Sequence, residues 1–332
     1  FDGTQYTMNG ATTVTAQSGD SIIFSGGGAT TFTTSNDAIT FGTGTVQLSD
    51  AADLTITSAN GAVSVASVGG TTSEDITINA GTGTLAVGAI GNADEINTVT
   101  LTGSTITLSG DITTSNAANN NVDINGAVVI SGAVDIDTDT AGTDGTIDFS
   151  STIVGDANNA TTDNLTIDSG GSTVTFNGTI GVAAPIAGFN VNQDGGNVAL
   201  TIPQLGTASG NAGTSGVTLI GNANTSAVTL SAASYEFGGA TTITSAGNIT
   251  ASATNPDIDI SGNTTLTGNL VLSDGNFNLN SGGGNISVSG TITSAGIDET
   301  LTLTDGGASG SITLGGAATS GSVTLVGAGG VS

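Results

Sequence analysis

The sequence predicts an all-β protein and, within that class, a β-solenoid: short strands stacked coil on coil around a thin apolar core. Three observations lead there. Three-residue kernels of the form aliphatic-Thr-aliphatic recur along the chain. Gly, Ser, Asn and Asp bound them. Large side chains are scarce, with aromatics at 3 % of the 332 residues and no Trp, so the core must be narrow.

The kernels run in order as Leu54-Thr55-Ile56, Ile76-Thr77-Ile78, Val99-Thr100-Leu101, Ile106-Thr107-Leu108, Leu165-Thr166-Ile167 and Val174-Thr175-Phe176. Val228-Thr229-Leu230, Leu301-Thr302-Leu303, Ile312-Thr313-Leu314 and Val323-Thr324-Leu325 complete the series. Alternation with a period of two places the aliphatics on one face of a strand and Thr on the other. No segment shows the stripe of an amphipathic helix. A longer imperfect repeat lies over this pattern: acidic residues precede a kernel, a Gly-containing turn follows, and a second strand begins. Asp53-Leu54-Thr55-Ile56 leads to Val63-Ser64-Val65, and Glu74-Asp75-Ile76-Thr77-Ile78 leads to Leu85-Ala86-Val87. Self-similarity of this kind indicates a repeat architecture with loops of varying length.

The competing architecture is a string of β-sandwich domains, each needing about seven strands in about 100 residues. Small aliphatics, short kernels and only 3 Pro favour the solenoid, with coils of roughly 20–30 residues. Residues 1–332 read as one continuous repetitive β region. The weakest stretch is 183–216, which holds Pro185, Pro203 and a run of Gly, Ala and Ser; a boundary is expected there if there is one.

Composition removes whole classes of function. The chain has no Lys, Arg, His or Cys, and its 27 acidic residues give a formal net charge of −27. Nucleic acid is excluded as a partner, because binding it depends on cations that neutralise phosphates. Anionic membrane surfaces are disfavoured for the same reason, and no run approaches the roughly 18 apolar residues of a membrane span. Disulfides and Lys–Asn staples cannot form within the chain. Carboxylates are the side chains left for acid–base chemistry, and a two-carboxylate glycosidase would want aromatic sugar platforms. With Tyr6 and Tyr235 the only Tyr residues and no Trp, the chain is expected not to be an enzyme. The start at Phe1-Asp2-Gly3 and the end at Gly330-Val331-Ser332 read as cuts from a longer or processed protein.

The kernels, and above all Thr173-Val174-Thr175-Phe176-Asn177-Gly178-Thr179-Ile180-Gly181, resemble the repeats of giant bacterial β-strand-repeat surface proteins, the filamentous-haemagglutinin-like adhesins. The composition is similar to that of bacterial S-layer proteins. The resemblance implies a secreted, extracellular, cell-surface role: a subunit or segment of a fibre, sheath or S-layer whose partners are copies of itself or flanking repeats. The alternative is an adhesin stalk that contacts host receptors or surface glycans.

Calcium is the cofactor to weigh, since hard cations take oxygen ligands. Asp135-Ile136-Asp137-Thr138-Asp139 sets three carboxylates, Asp135, Asp137 and Asp139, on one face of a strand, and Asp257-Ile258-Asp259 sets two, Asp257 and Asp259. Glu74-Asp75, Asp94-Glu95 and Asp298-Glu299 are further acidic pairs. Neither the Gly-rich nonapeptide calcium repeat nor a helix-loop-helix calcium loop is present. The plainer reading is a set of acidic turns that keep the scaffold soluble and guard its edges. Regular Thr-x-Thr ladders on a flat face would suit ice. Thr105-Ile106-Thr107 and Thr302-Leu303-Thr304 fit, but their irregular spacing reads as β propensity. Asn-x-Ser/Thr triplets at Asn159, Asn164, Asn177, Asn224, Asn248, Asn263 and Asn285 are expected by chance in such a composition. Gly26-Gly27-Gly28 and Gly282-Gly283-Gly284 lack the Lys of a phosphate loop and read as turns.

Overall fold

A computed structural model describes residues 1–49, 51–71, 74–91, 96–115, 120–139, 144–156, 162–193, 200–206, 216–221, 228–231, 234–237, 241–251, 257–260, 264–272, 277–281, 284–294, 300–305, 310–316, 318–319 and 322–326. Among them there is no helix. The strands pair in parallel, coil against coil, as a β-solenoid. Chain contacts divide it into two compact units: Phe1–Asp156 with Ile167–Ser169, and Ala157–Thr166 with Gly170–Ser332. The stretch 183–216 falls inside the second unit. It holds the strand Gly188–Gln193, while 194–199 and 207–215 lie outside the described residues.

The first unit has three ladders. The first stacks Tyr6, Phe32, Ile56, Ile78, Leu101, Ile124 and Phe149 on successive rungs. The steps are 22 to 26 residues, with Tyr6 to Phe32 the longest and Ile56 to Ile78 the shortest. The second stacks Ile39, Val63, Leu85, Ile106, Val128 and Ile153. The third stacks Ile22, Val46, Val68, Ile90, Ile112 and Ile136. Some strands turn a corner: Val99–Leu108 serves the first ladder with Val99 to Thr102 and the second with Thr105 to Leu108. Apolar side chains thus meet apolar side chains above and below, and columns dominated by Ile, Val and Leu fill a narrow core with few rings. All residues of these stacks from the second coil onward are buried. Most of the rings gather at the start of the unit, where Phe1 contacts Phe24, Phe24 contacts Phe41 and Phe41 contacts Phe32; Phe149 stands on the last rung of the first ladder.

The second unit repeats the plan. Phe189, Val217, Thr241, Thr264, Ile286 and Ile312 share one ladder. Leu200, Val228, Ile249, Leu270, Ile292 and Ala318 share another. Tyr235, Ile258, Leu279, Leu303 and Leu325 share a third. Thr241 and Thr264 put consecutive hydroxyl-bearing residues in a buried column.

Turns are tight because coils sit about 4.8 Å apart. Gly81 has φ +58, and a Cβ there would collide with the carbonyl oxygen of Ala59 one coil below. Gly27 has φ +62, which makes Gly26-Gly27-Gly28 the turn its sequence suggested.

Candidate functional site

The acidic residues are the ionisable side chains in which this chain is rich, and several of them bond the scaffold itself. Asp and Asn just ahead of the first-ladder strands reach to the next coil. Asp53 Oδ1 accepts the Asp75 N–H at 2.9 Å. Asp75 Oδ1 in turn accepts the Thr98 N–H at 3.0 Å and the Asn97 side-chain amide at 2.9 Å. Asn121 Oδ1 accepts the Thr146 N–H at 3.0 Å. In the second unit Asn285 Oδ1 accepts the Ser311 N–H at 3.0 Å. A peptide N–H at a corner has no ladder carbonyl opposite it, so a short side-chain oxygen one coil away supplies the missing acceptor. Glu74 is fully buried. Its carboxylate accepts from the Thr71 N–H at 2.7 Å, the Thr71 hydroxyl at 2.5 Å and the Ala51 N–H at 3.3 Å, so it ties two coils together. The pair Glu74-Asp75 thus has a structural use. Asp94-Glu95 and Asp298-Glu299 lie outside the described residues.

Asp135 and Asp137 alternate with buried Val134 and Ile136 in the strand Ala133–Asp137, and Asp139 follows beyond buried Thr138, past the end of that strand. Asp135 donates its N–H to Asp111 Oδ1 at 2.9 Å, and Asp139 donates its N–H to Asp137 Oδ1 at 2.8 Å. Partial burial, then the fields of Asp137, Asp111 and Asp168, push the Asp135 carboxyl above the usual carboxylate range. Asp123 is raised in the same way, by burial and then by Asp148, its register partner one rung away. Asp257 pairs with Ser234 and Asn278, and Asp259 with Glu236 and Asn280, so the two acids sit on one ladder of the second unit. Among the described residues no group of three or more His, Cys, Asp or Glu side chains is disposed to hold a metal ion.

A shallow open hollow of about 300 Å³ lies on the second ladder of the first unit, lined by Ser64, Ala66, Ala86, Gly88 and Ser109 with the backs of Val65 and Val87. Its lining carries no ionisable side chain; Ser64 and Ser109 supply its hydroxyls. The outward face of the first ladder differs: Thr31, Thr55, Thr77 and Thr100 stand rung on rung. Neither this rank nor the corner role of Asp53, Asp75 and Asn121 is evident from the kernels alone. The signal for the corner role was there in the acid-before-kernel repeat; the signal for the rank was hidden by unequal loops.

No protein-family model, curated protein or solved structure matches this chain.

Proposed function

We propose that the chain is a structural segment of an extracellular surface assembly, a fibre, sheath or S-layer, which builds by adding rungs to its own ladders. The observation behind this reading is the first coil. Its strands Gln5–Met8, Thr12–Val14 and Ser21–Phe24 each pair on one side only among the described residues, with Thr30–Thr34, Ile39–Phe41 and Thr45–Leu48. Of its inward residues Tyr6, Met8 and Val14 are only half-buried, whereas Ile22 and Phe24 are already buried, as are Phe32, Ile39 and Phe41 one coil on. Whatever precedes Phe1, a ladder in this parallel register extends by a strand of matching pattern, from flanking repeats or from a second copy. The absence of Lys and Arg denies trypsin-like proteases a cleavage site, which suits a long-lived external scaffold. Divalent cations, calcium first, offset the repulsion of 27 carboxylates when copies approach.

Electron microscopy of the purified chain with calcium and with a chelator tests the proposal. Filaments or sheets that lose order in chelator support it. Dispersed monomers indifferent to chelator contradict it and favour the adhesin stalk that the Thr173–Gly181 kernel suggests.

A further inference from the structure

The first ladder of the N-terminal unit presents a two-dimensional array. One outward rank is Thr31, Thr55, Thr77 and Thr100; the other is Thr33, Thr57, Asn79 and Thr102. All eight are partly exposed, and each strand is anchored from behind by buried Phe32, Ile56, Ile78 or Leu101. No charge interrupts the array; the next rung ends it with Asp123 and Asn125.

The hydroxyls of these seven threonines make no hydrogen bond to any described residue. Elsewhere Thr hydroxyls are used internally: Thr34 donates to the Asp37 carbonyl at 2.7 Å, Thr30 to the Gly3 carbonyl at 3.2 Å, and Thr138 to the Gly145 carbonyl at 2.7 Å. The array therefore turns seven free donor–acceptor groups to solvent on stiff β-branched side chains, each beside its own methyl group.

Its dimensions follow from the fold. Rungs are about 4.8 Å apart, and residues i and i+2 along a strand are about 6.6–6.8 Å apart. In a tetrahedral water lattice with oxygen–oxygen bonds of about 2.75 Å, second neighbours lie about 4.5 Å apart and the stacking repeat, eight-thirds of a bond, is about 7.3 Å. The two grids differ by roughly a tenth in each direction. We propose that this face binds ice, holding a patch of lattice water on the two threonine ranks, with the methyl groups seated between water positions. Because the rungs fix the side chains before contact, little ordering is left for binding to cost. The sites that sequence alone would nominate are weaker. Thr105 and Thr107 have Ala127 and Val129 as their neighbours on the next rung, so that array stops.

The test uses the full chain. Ice-recrystallisation microscopy and the habit of single ice crystals are compared for the native protein, for Thr55→Lys with Thr100→Lys, and for a control with Thr40→Lys and Thr107→Lys on the second ladder. A second array variant, Thr55→Gln with Thr77→Gln, breaks both the spacing and the hydroxyl pattern without adding charge, and circular dichroism checks the fold of each. Suppressed grain growth and faceted crystals with the native protein and the control, lost in either folded array variant, support the proposal. No effect of the native protein on ice overturns it, as does equal loss in the control. Retention in the Thr→Gln pair overturns it as well, and so does binding to crystalline cellulose or chitin without any effect on ice.

Discussion

Asp123 and Asp148 are opposed on adjacent rungs, and the consequence can be read in pH. Asp123 and Asp135 hold their protons to higher pH in the folded protein than in the unfolded chain. Between the ordinary carboxylate range and the raised values the folded state binds more protons, so stability falls as pH rises through that window and is greater below it. Thermal denaturation between about pH 4 and about pH 7 should show the melting temperature declining with pH. Asp148→Asn should flatten that decline and add roughly 0.2–1 kcal/mol at neutral pH by removing a like charge directly opposite another. Glu74 faces N–H donors where Asp123 faces another acid. Glu74→Ala strips the acceptor from the Thr71 and Ala51 N–H groups and should cost about 1–3 kcal/mol in chemical denaturation. The two carboxylates look alike in sequence. What separates them is whether a neighbouring coil offers N–H groups or another acid, and that depends on register.

At the scale of the strand, the alternation of kernels such as Ile76-Thr77-Ile78 was enough to assign strands and to say which face is buried, because side-chain direction is a local property with period two. The coil length was also legible: the expected 20–30 residues per coil covers the observed steps, such as 22 from Ile56 to Ile78 and 25 from Ile124 to Phe149. Register was not legible. The segments from Thr57 to Asn79 and from Asn79 to Thr102 differ by one residue, and corner turns absorb the difference, so ranks that are straight in space are irregular in sequence. Asp135 and Asp137 alternate with buried Val134 and Ile136 in the strand Ala133–Asp137, and Asp139 follows its end; convergence on a cation depends on register and turn geometry, which a period of two does not encode. The column also sets how damage spreads. Ile78 is fully buried between Ile56 and Leu101, and Ile78→Ala should cost about 2–5 kcal/mol. In a stack with nearest-neighbour coupling, hydrogen exchange should speed up first in Leu54–Ser58 and in the Val99 to Thr102 half of its strand, and last in Ile147–Phe149.

At the scale of the whole molecule, one principle supports both proposals: each unit is a pile of coils in parallel register, so residues at equivalent strand positions, such as Thr31, Thr55, Thr77 and Thr100, stand in ranks. Thr55 and Thr77 should then be neighbours about 4.8 Å apart, and Thr55 and Thr100 twice as far. The native chain has no Cys, so paired cysteines can be introduced without competition. Disulfides need Cα atoms within about 4.4–6.8 Å. The most direct measurement is the oxidation of two double variants, Thr55→Cys with Thr77→Cys and Thr55→Cys with Thr100→Cys, read as an intramolecular bond by mass spectrometry. Ready closure of the first pair with little of the second is the expected result. Equal closure of both, or closure of the second alone, would contradict the stacked register.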